Sequence, residues 1–535
     1  MTGNQTMTHA IHRLALAAAA ALCGLAPVHA QQAAAPAPAS AAASDEAVFS
    51  VTGFAVDGEN PLSAALTQAT LQPYVGQHNG IERLQQAASA LEAVLRDEGY
   101  GFYRVVLPPQ DIGGVIKLQM FKFTLGSIEV KGNQVYTNDN ILRSIAQLKP
   151  GISPNTYDLA RDLAVANESP SKRANVTFKQ GTVPDTIDAT VDVQDSRTLT
   201  GFIAAANTGS LATGYGRVTA GVSHNNLFDR DHQATVTYTT SPSAPGLVHQ
   251  YGGYYRAPMY DWGGILSGYY TWSSVDAGSV AGLNVTGRGQ FMGVQYAHYF
   301  APRGDYRDYV SVAFDDKHFD NSKIVTSGGL PVFPDYRTRP ITVSYVGRFE
   351  KKWGFWGFNA DVSRNLTLGG GNNDVSANAN RAGATNRWMV LRGGADATMA
   401  LPEKWIGTVR GKVQLAGKPL VPGEQFGIGG AQSVRGLTER QLSGDTGWQV
   451  SLEALSPPIN EYLRGLVFYD IGQVRRHDDA VTPMAGASSV GIGLRWSYGN
   501  NLSGSLDLAR LLSMVNGFPA GTSRDRLHFA MTWKF

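Results

Sequence analysis

The chain has 535 residues, which is too long for one ordinary domain. Charged residues make up only 16% of it and the formal net charge is +2, so the basic surface typical of nucleic-acid binding is absent. The 61 glycines and the 10% aromatic content favour turn-rich β structure.

The amino terminus has the pattern of a secretory signal peptide. His12 and Arg13 precede an Ala/Leu-rich run from Leu14 to Leu25, and Val28-His29-Ala30 provides a cleavage site with small residues where a signal peptidase reads. The run is too short to span a bilayer as a membrane anchor. We therefore predict a signal peptide over residues 1–30.

Residues 31–47 are rich in Ala, Pro, Gln and Ser and are predicted to form a flexible linker. The only cysteine is Cys23, inside the predicted signal peptide, so the mature chain is expected to have no disulfide, thiol nucleophile or cysteine metal site. No later segment approaches the roughly 18 consecutive apolar residues of a membrane helix.

Two small α+β domains are predicted after the linker, over residues 48–123 and 124–196. In the first, Val48–Val56 has the pattern of a strand and Ile81–Glu98 has the apolar stripe of an amphipathic helix. The second begins with a strand at Ser127–Val130 and has the same plan. We expect the order β-α-α-β-β in each.

From residue 197 to residue 535 the helical period disappears, and runs of about ten residues alternate between apolar and polar side chains. The last run places five apolar residues on one face: Leu527, Phe529, Met531, Trp533 and Phe535. About sixteen such runs are present, and the number is even, as in outer-membrane barrels. We predict an all-β transmembrane barrel of about 16 antiparallel strands. The alternative, a large soluble β protein, leaves these repeated apolar faces without a partner layer.

A long connection in the barrel, residues 417–446, is rich in glycine and carries one arginine flanked by small or apolar residues. A later strand carries an aspartate that alternation places on the face away from lipid. A carboxylate in a partly desolvated lumen requires a cation close by. The residues of these two segments are Gly429, Gly430, Val434, Arg435, Gly436 and Leu437 in the connection, and Phe468, Asp470 and Gly472 in the strand.

These two segments resemble the motifs of the outer-membrane assembly and secretion superfamily. Val434-Arg435-Gly436-Leu437 is similar to its Val-Arg-Gly-Tyr loop, with Leu437 in place of the aromatic residue, and Phe468-Tyr469-Asp470-Ile471-Gly472 is similar to its Phe-x-Asp-x-Gly strand. The resemblance implies that the 417–446 loop folds back into the lumen and that Arg435 contacts Asp470. It also implies that the two α+β domains are periplasmic polypeptide-transport-associated (POTRA) domains.

Two such domains, rather than five, resemble the transporters of two-partner secretion, the haemolysin-activator and filamentous-haemagglutinin-exporter group. The resemblance implies an outer-membrane transporter that exports one large β-helical partner protein without a cofactor or a nucleotide. Periplasmic chaperones and the barrel assembly machinery are expected as further partners. The resemblance also implies an amino-terminal helix that plugs the pore, but residues 31–47 have no amphipathic period. We therefore expect this plug helix to be short or absent and the 417–446 loop alone to close the resting pore.

The POTRA-like domains are expected to capture an unfolded client as an added strand at a sheet edge. The candidate client-binding residues lie on strands predicted to be edges, and they are Phe121, Phe123, Val176 and Phe178. Core packing is the alternative role for any one of them.

Three other functions compete with the transporter. The first is an outer-membrane protein insertase, which would need more periplasmic domains and a weak seam between the first and last strands. A passive channel leaves both POTRA-like domains without a role. A barrel enzyme is not supported, because no nucleophile motif, phosphate loop or metal-ligand spacing is present, and we predict no catalytic, cofactor or metal residues.

Overall fold

The computed structural model describes residues 48–111, 113–210, 213–275, 278–280, 283–285, 288–321, 333–477, 484–515, 517–518 and 523–535. The predicted signal peptide (1–30) and the linker (31–47), with the expected lack of a plug helix, lie outside these residues. No helix among the described residues is both long and apolar enough to cross a bilayer.

The first module, residues 48–123, is a four-stranded sheet covered by two helices. Its elements in chain order are β1 (Val48–Asp57), α1 (Ala64–Leu71), β2 (Gly76–Asn79), α2 (Glu82–Asp97), β3 (Tyr103–Val106) and β4 (Gly114–Lys122). The predicted amphipathic helix is α2, which buries Leu84, Leu91 and Leu95 against the sheet. The expected order β-α-α-β-β is wrong for this module, because strand β2 lies between the two helices. The position of α1 is not marked in the sequence, since this helix has almost no amphipathic pattern.

The second module, residues 124–196, has the predicted order β-α-α-β-β. Its elements are β5 (Thr124–Lys131), α3 (Asn138–Arg143), α4 (Thr156–Ala166), β6 (Lys172–Gln180) and β7 (Thr186–Asp195). Both helices begin at a polar N-cap residue: the Thr137 side chain accepts from the Asn140 N–H, and the Asn155 side chain accepts from the N–H groups of Tyr157 and Asp158.

The prediction that Phe121 and Phe123 lie on an edge strand is wrong. The sheet order is β2-β1-β4-β3, and β4 pairs in parallel with β1 on one side and antiparallel with β3 on the other. Phe121 is therefore on an interior strand, and Phe123 follows its end. In the second module the order is β5-β7-β6, so Val176 and Phe178 do lie on an edge strand, although both side chains pack against the core.

The barrel is closed by sixteen antiparallel strands, which confirms the predicted fold class. The strands after the modules are β8 (Leu199–Ala206), β9 (Arg217–Leu227), β10 (His232–Thr240), β11 (His249–Met259), β12 (Gly264–Ser273), β13 (Gly278–Val280), β14 (Leu283–Val285), β15 (Gly289–Tyr299), β16 (Tyr306–Phe319), β17 (Tyr336–Thr338), β18 (Pro340–Lys351), β19 (Gly354–Asn365), β20 (Met389–Ala400), β21 (Ile406–Ala416), β22 (Phe426–Ile428), β23 (Leu442–Gly444), β24 (Thr446–Pro458), β25 (Leu463–Arg475), β26 (Met484–Tyr498), β27 (Leu502–Met514) and β28 (Asp525–Lys534). A short helix, α5 (Asp374–Asn380), lies between β19 and β20.

Two of these strand pairs, β13–β14 and β22–β23, are hairpins outside the barrel wall, and β17 is a short piece beside β16. Along the wall strands, apolar residues are exposed on one side while polar neighbours are buried on the other. On β25, for example, Val467 is 50% exposed and Asp470 is 0% exposed. This alternation is the pattern of a barrel with lipid outside and a polar interior.

The first and last strands close the seam. Residues Ala530–Lys534 of β28 pair with Phe202–Ala206 of β8, and Gly201 and Phe535 exchange two backbone hydrogen bonds of 2.9 Å. Past the end of β8, the Asn207 side chain continues the ladder, because its Nδ2 donates to Leu527 O (2.7 Å) and its Oδ1 accepts from Phe529 N (2.8 Å).

The second module is docked on the short-turn end of the barrel through a buried ion pair. Lys172 Nζ lies 2.8 Å from Asp231 Oδ2, and neither side chain is more than 1% exposed. The ammonium also donates to Asn140 Oδ1 (2.9 Å), and Tyr260 OH donates to Asp231 Oδ2 (2.5 Å). Burial lowers the pKa of Lys172, and the charge of Asp231 opposes that shift.

The barrel turn at this interface has an unusual backbone. Phe228, Asp229 and Asp231 all have positive φ angles, a conformation that costs free energy for residues other than glycine. The second module binds this turn directly, because Asn140 Nδ2 and Arg143 Nη1 donate to the carbonyl of Asp229 at 2.9 and 2.8 Å. These contacts compensate for the strained conformation of the turn.

We expect Lys172→Met to loosen the docking of the second module. The substitution keeps the side-chain volume but leaves the buried Asp231 without its cation, which costs about 3–5 kcal/mol. Hydrogen exchange of α3 and of residues 226–231 in the full chain should accelerate. Lys179→Met, at an exposed position of the same strand, is the control, and equal exchange in both variants would contradict the role of the pair.

A second prediction concerns pH and the stability of the second module. Burial raises the pKa of Asp162 on α4 to about 6, although Gln147 N donates to its Oδ2 at 3.2 Å. The folded module therefore holds a proton at Asp162 more readily than the unfolded chain, and stability declines as the pH rises from about 4 to about 6. Protection factors of α4, corrected for intrinsic exchange, should show this decline in wild type and in Asp158→Asn but not in Asp162→Asn.

Candidate functional site

The long connection between β21 and β24, residues 417–446 (the inward loop), lies inside the barrel. Its strands β22 and β23 pair with each other, and its apolar side chains pack against residues of β25, β26 and β27. The buried cluster consists of Ile428, Val434, Leu437, Val474, Ala487 and Leu511. Leu437, at the position of the family's aromatic residue, is fully buried here and serves as an apolar anchor.

Arg435, at the tip of the inward loop, is bound in a bidentate manner by Asp470. Its Nε donates to Asp470 Oδ2 at 2.7 Å and its Nη2 donates to Oδ1 at 2.8 Å, while its backbone N–H donates to Oδ2 at 3.1 Å. The guanidinium is 2% exposed and the carboxylate is fully buried. Paired, charge-assisted bonds of this kind fix orientation as well as distance.

The remaining N–H groups of Arg435 also have acceptors. Nη1 lies 2.9 Å from Glu453 Oε1 and 3.3 Å from Asp507 Oδ2, and Nη2 donates to Ser451 Oγ at 3.2 Å. The guanidinium carbon is 3.4 Å from the centroid of the Phe468 ring, which adds a cation–π contact. Every side-chain nitrogen of this buried arginine therefore has at least one hydrogen-bond acceptor.

The charges around Arg435 balance, which lowers the cost of burying them. Two of its carboxylate partners have a second arginine: Glu453 is paired with Arg410, and Asp507 with Arg495. Together with Arg435 and Asp470, three guanidinium groups face three carboxylates. We call these six residues the tip cluster.

Glycine permits the close approach of the inward loop to the wall at two positions. Gly436 has φ +102°, and a Cβ atom there would lie 3.0 Å from the Leu511 side chain. At Gly472 a Cβ atom would lie 3.2 Å from Ile428 Cγ2 and from Val434 Cγ2. The Gly436 N–H also donates to His528 Nε2 at 3.1 Å, which connects the loop to the last strand.

The turn before the tip is held by its own polar contacts. Gly429 N donates to Ser433 Oγ at 3.1 Å, and Gly430 N donates to the Leu437 carbonyl at 3.3 Å. The structure thus brings every loop and strand residue predicted from the sequence into one region, where Arg435 and Asp470 are in direct contact.

The sequence motifs did not indicate several residues of this region, among them Ser451, Asp507 and His528. Each lies on a strand at a position where alternation predicts a lumenal side chain, and Asp507 is the only acidic residue on its strand. That signal could have identified Asp507, but the partner of a lumenal charge depends on strand register, which the sequence does not specify.

One group of potential metal ligands occurs among the described residues. His318, Asp320 and Asp335 have ligand atoms within 4.8 Å of one another, and His318 Nε2 is 3.3 Å from Asp320 Oδ1. The sequence spacing of the histidines did not indicate this proximity. Both carboxylates have other interactions, and we assign no metal to this group.

Residues 185–496 match the family described as haemolysin secretion/activation protein ShlB/FhaC/HecB, and residues 49–122 match the ShlB-type POTRA domain. The chain belongs to this family. It is thus an outer-membrane transporter of two-partner secretion, and its POTRA domains are periplasmic.

Two transporter proteins are similar to the chain over most of their length. The chain is 21% identical to the heme/hemopexin transporter protein HuxB of Haemophilus influenzae (strain 86-028NP), over 83% of this chain and 80% of that protein. It is 23% identical to the outer membrane transporter CdiB of Dickeya dadantii, over 79% and 76%.

Two solved structures share the fold. CdiB from Escherichia coli matches with a TM-score of 0.74 and 18% identity, over 93% of each chain. CdiB from Acinetobacter baumannii matches with a TM-score of 0.69 and 16% identity, over 99% of this chain and 98% of that one. The family match favours the transporter over the insertase.

We expect Gly436→Ala to displace the tip of the inward loop. The added methyl group meets Leu511 at 3.0 Å and forces a positive φ angle on alanine, so the loop has to move away from the wall. Limited proteolysis from the long-loop side should then cleave the loop faster. Gly417→Ala is the matched control, because a Cβ atom there meets nothing within 4 Å. Equal cleavage of the two variants would count against this close packing.

Proposed function

We propose that the transporter exports one large secreted protein through its lumen, and that the inward loop is the element that opens the path. The observation that carries this proposal is the tip cluster. Ion pairs in the tip cluster hold the loop in one position inside the lumen. The loop can leave that position when water replaces its ionic partners.

We further propose how the chain is divided in the cell. Residues 1–30 direct export and are removed, residues 31–47 are a linker, and residues 48–123 and 124–196 are the two periplasmic POTRA domains. The barrel extends from 197 to 535. The family matches at 49–122 and 185–496 support the first POTRA domain and the barrel within this division.

The periplasmic domains are proposed to receive the unfolded client by strand addition. Strand β6 is an edge strand of the second module, and its Val176 and Phe178 side chains face the core. The Asn167 side chain already binds the N–H and the carbonyl of Ala174, at 2.7 and 2.9 Å. Recognition at this edge therefore depends on the outward main-chain groups of β6 after Ala174 rather than on those side chains. Phe121 and Phe123 have no place in an edge mechanism.

The client is proposed to be a large exoprotein of the type that such transporters serve. It would first be exported to the periplasm. Periplasmic chaperones would keep that client unfolded, and the barrel assembly machinery would insert the transporter itself. The described residues supply no step that calls for a cofactor, and the folding of the client outside the cell provides a source of free energy for export.

We expect Arg435→Ala and Asp470→Ala each to reduce export of the cognate partner by at least about tenfold. Either change leaves buried charges of one sign in excess, at a cost of about 3–5 kcal/mol, so the loop no longer has one defined resting position. Secreted partner is measured by immunoblot of the culture medium, and barrel assembly by heat-modifiable gel mobility.

Arg475→Ala is the control for this experiment, because Arg475 is an exposed arginine on the same strand as Asp470. A chain that lacks residues 48–195 tests the periplasmic domains in the same assay. Unchanged export in the tip variants, or loss of other outer-membrane proteins in place of export, would refute the proposed function and return the insertase to consideration.

A further inference from the structure

The inward loop makes a second set of buried ionic contacts, at the end where it leaves β21. Glu424 lies in a turn at residues 422–424, and its side chain is only 1% exposed. This carboxylate belongs to no motif that the sequence analysis identified. It lies only eleven residues before the tip residue Arg435, but it has a separate group of partners.

The partners of Glu424 come from the wall strands β16 and β20 and from the short strand β17. Lys317 Nζ on β16 donates to Oε1 at 2.9 Å, and Thr338 Oγ1 on β17 donates to the same oxygen at 3.1 Å. Arg392 Nη2 on β20 donates to Oε2 at 3.2 Å. Both carboxylate oxygens are therefore occupied, and two wall cations surround one loop anion. We call these four residues the root cluster.

The backbone around Glu424 is bound to the wall as well. Gln414 Nε2 on β21 donates to the Glu424 carbonyl at 3.1 Å and to the Asp445 carbonyl at 3.0 Å, so one side chain joins the two ends of the inward loop. Tyr336 OH accepts from Gly423 N at 3.1 Å. The Asp445 side chain in turn is paired with Arg381.

The two clusters have opposite polarity. At the root, the loop supplies an anion and the wall supplies the cations Lys317 and Arg392. At the tip, the loop supplies the cation Arg435 and the wall supplies an excess of carboxylates, Asp470 among them. A loop that entered the lumen in a shifted register would bring like charges together, which is strongly unfavourable in a desolvated site.

We propose that Glu424 is a positioning residue of the inward loop, which fixes the root in the barrel wall so that Arg435 reaches Asp470. This inference rests on the proposed function, since the loop has to be positioned in order to act as the element that opens. A purely structural role is the alternative. In that case Glu424 only neutralises Lys317 and Arg392 within the wall, and its loss does not change the position of the tip.

The test is whether loss of the Glu424 charge exposes the distant tip. Glu424→Gln keeps the size of the side chain and one acceptor oxygen but leaves two cations without an anion. A cysteine is placed at Val434, which is fully buried in the tip region, in a mature chain that is expected to have no other cysteine. Labelling by a membrane-impermeant thiol reagent is followed in intact cells, and export is measured in matched chains without the added cysteine.

We expect Glu424→Gln to accelerate labelling at position 434 by about tenfold, with unchanged heat-modifiable mobility of the barrel. Glu424→Asp should restore most of the protection. Glu403→Gln, at an exposed glutamate in the short turn before β21, should behave as wild type. A purely structural role predicts loss of barrel stability with no selective exposure of the tip.

Labelling at the wild-type rate in Glu424→Gln overturns the positioning role, whatever happens to export. If the wild-type chain exports no partner while Glu424→Gln still accelerates labelling at position 434, the proposed function is overturned and the positioning role stands. If Glu424→Gln barrels fail to assemble, Lys317→Gln decides the question, because it removes one cation and retains Arg392. Faster labelling in that variant supports the role, and an unchanged rate rejects it.

Discussion

Asp470 is fully buried on the inner face of the barrel wall, and a buried carboxylate is stable only with a cation and hydrogen-bond donors around it. Among the described residues of the wall, Ser451 donates a hydroxyl hydrogen bond to it, but a hydroxyl carries no charge. The missing charge comes from a segment that leaves the wall, crosses the lumen and returns. The position of the inward loop is a consequence of this requirement.

The other features of the loop follow from the need to place the Arg435 guanidinium against the Asp470 carboxylate. Close approach requires that no Cβ atom intervene, which accounts for glycine at 436 and 472. A buried arginine requires all of its donors to be satisfied, which recruits Glu453 and Asp507 from neighbouring strands. Because Asp507 lies near the carboxy-terminal strand, the loop and the closure of the barrel share part of one network.

The sequence was sufficient for the barrel, for the Arg435–Asp470 pair and for the general plan of both modules. The alternation of apolar and polar side chains identifies strands directly. The motifs at Val434–Leu437 and Phe468–Gly472 indicated that Arg435 of the loop pairs with Asp470. The edge residues Phe121 and Phe123 were predicted wrongly because the parallel pairing of β4 with β1 depends on the crossover of the intervening chain. Lys172 and Glu424 gave no sequence signal, since each finds its partners only after distant segments have docked.

The bridge that Gln414 makes between the carbonyls of Glu424 and Asp445 turns the inward loop into a closed tether. The tether has a fixed contour length of about twenty residues, so its midpoint extends at most about 35 Å from the bridge when fully stretched. That reach is close to the thickness of the hydrocarbon core of a bilayer, which is about 30 Å. With both ends held, the tip has enough chain to swing clear of the lumen and too little to be carried away with a passing polypeptide.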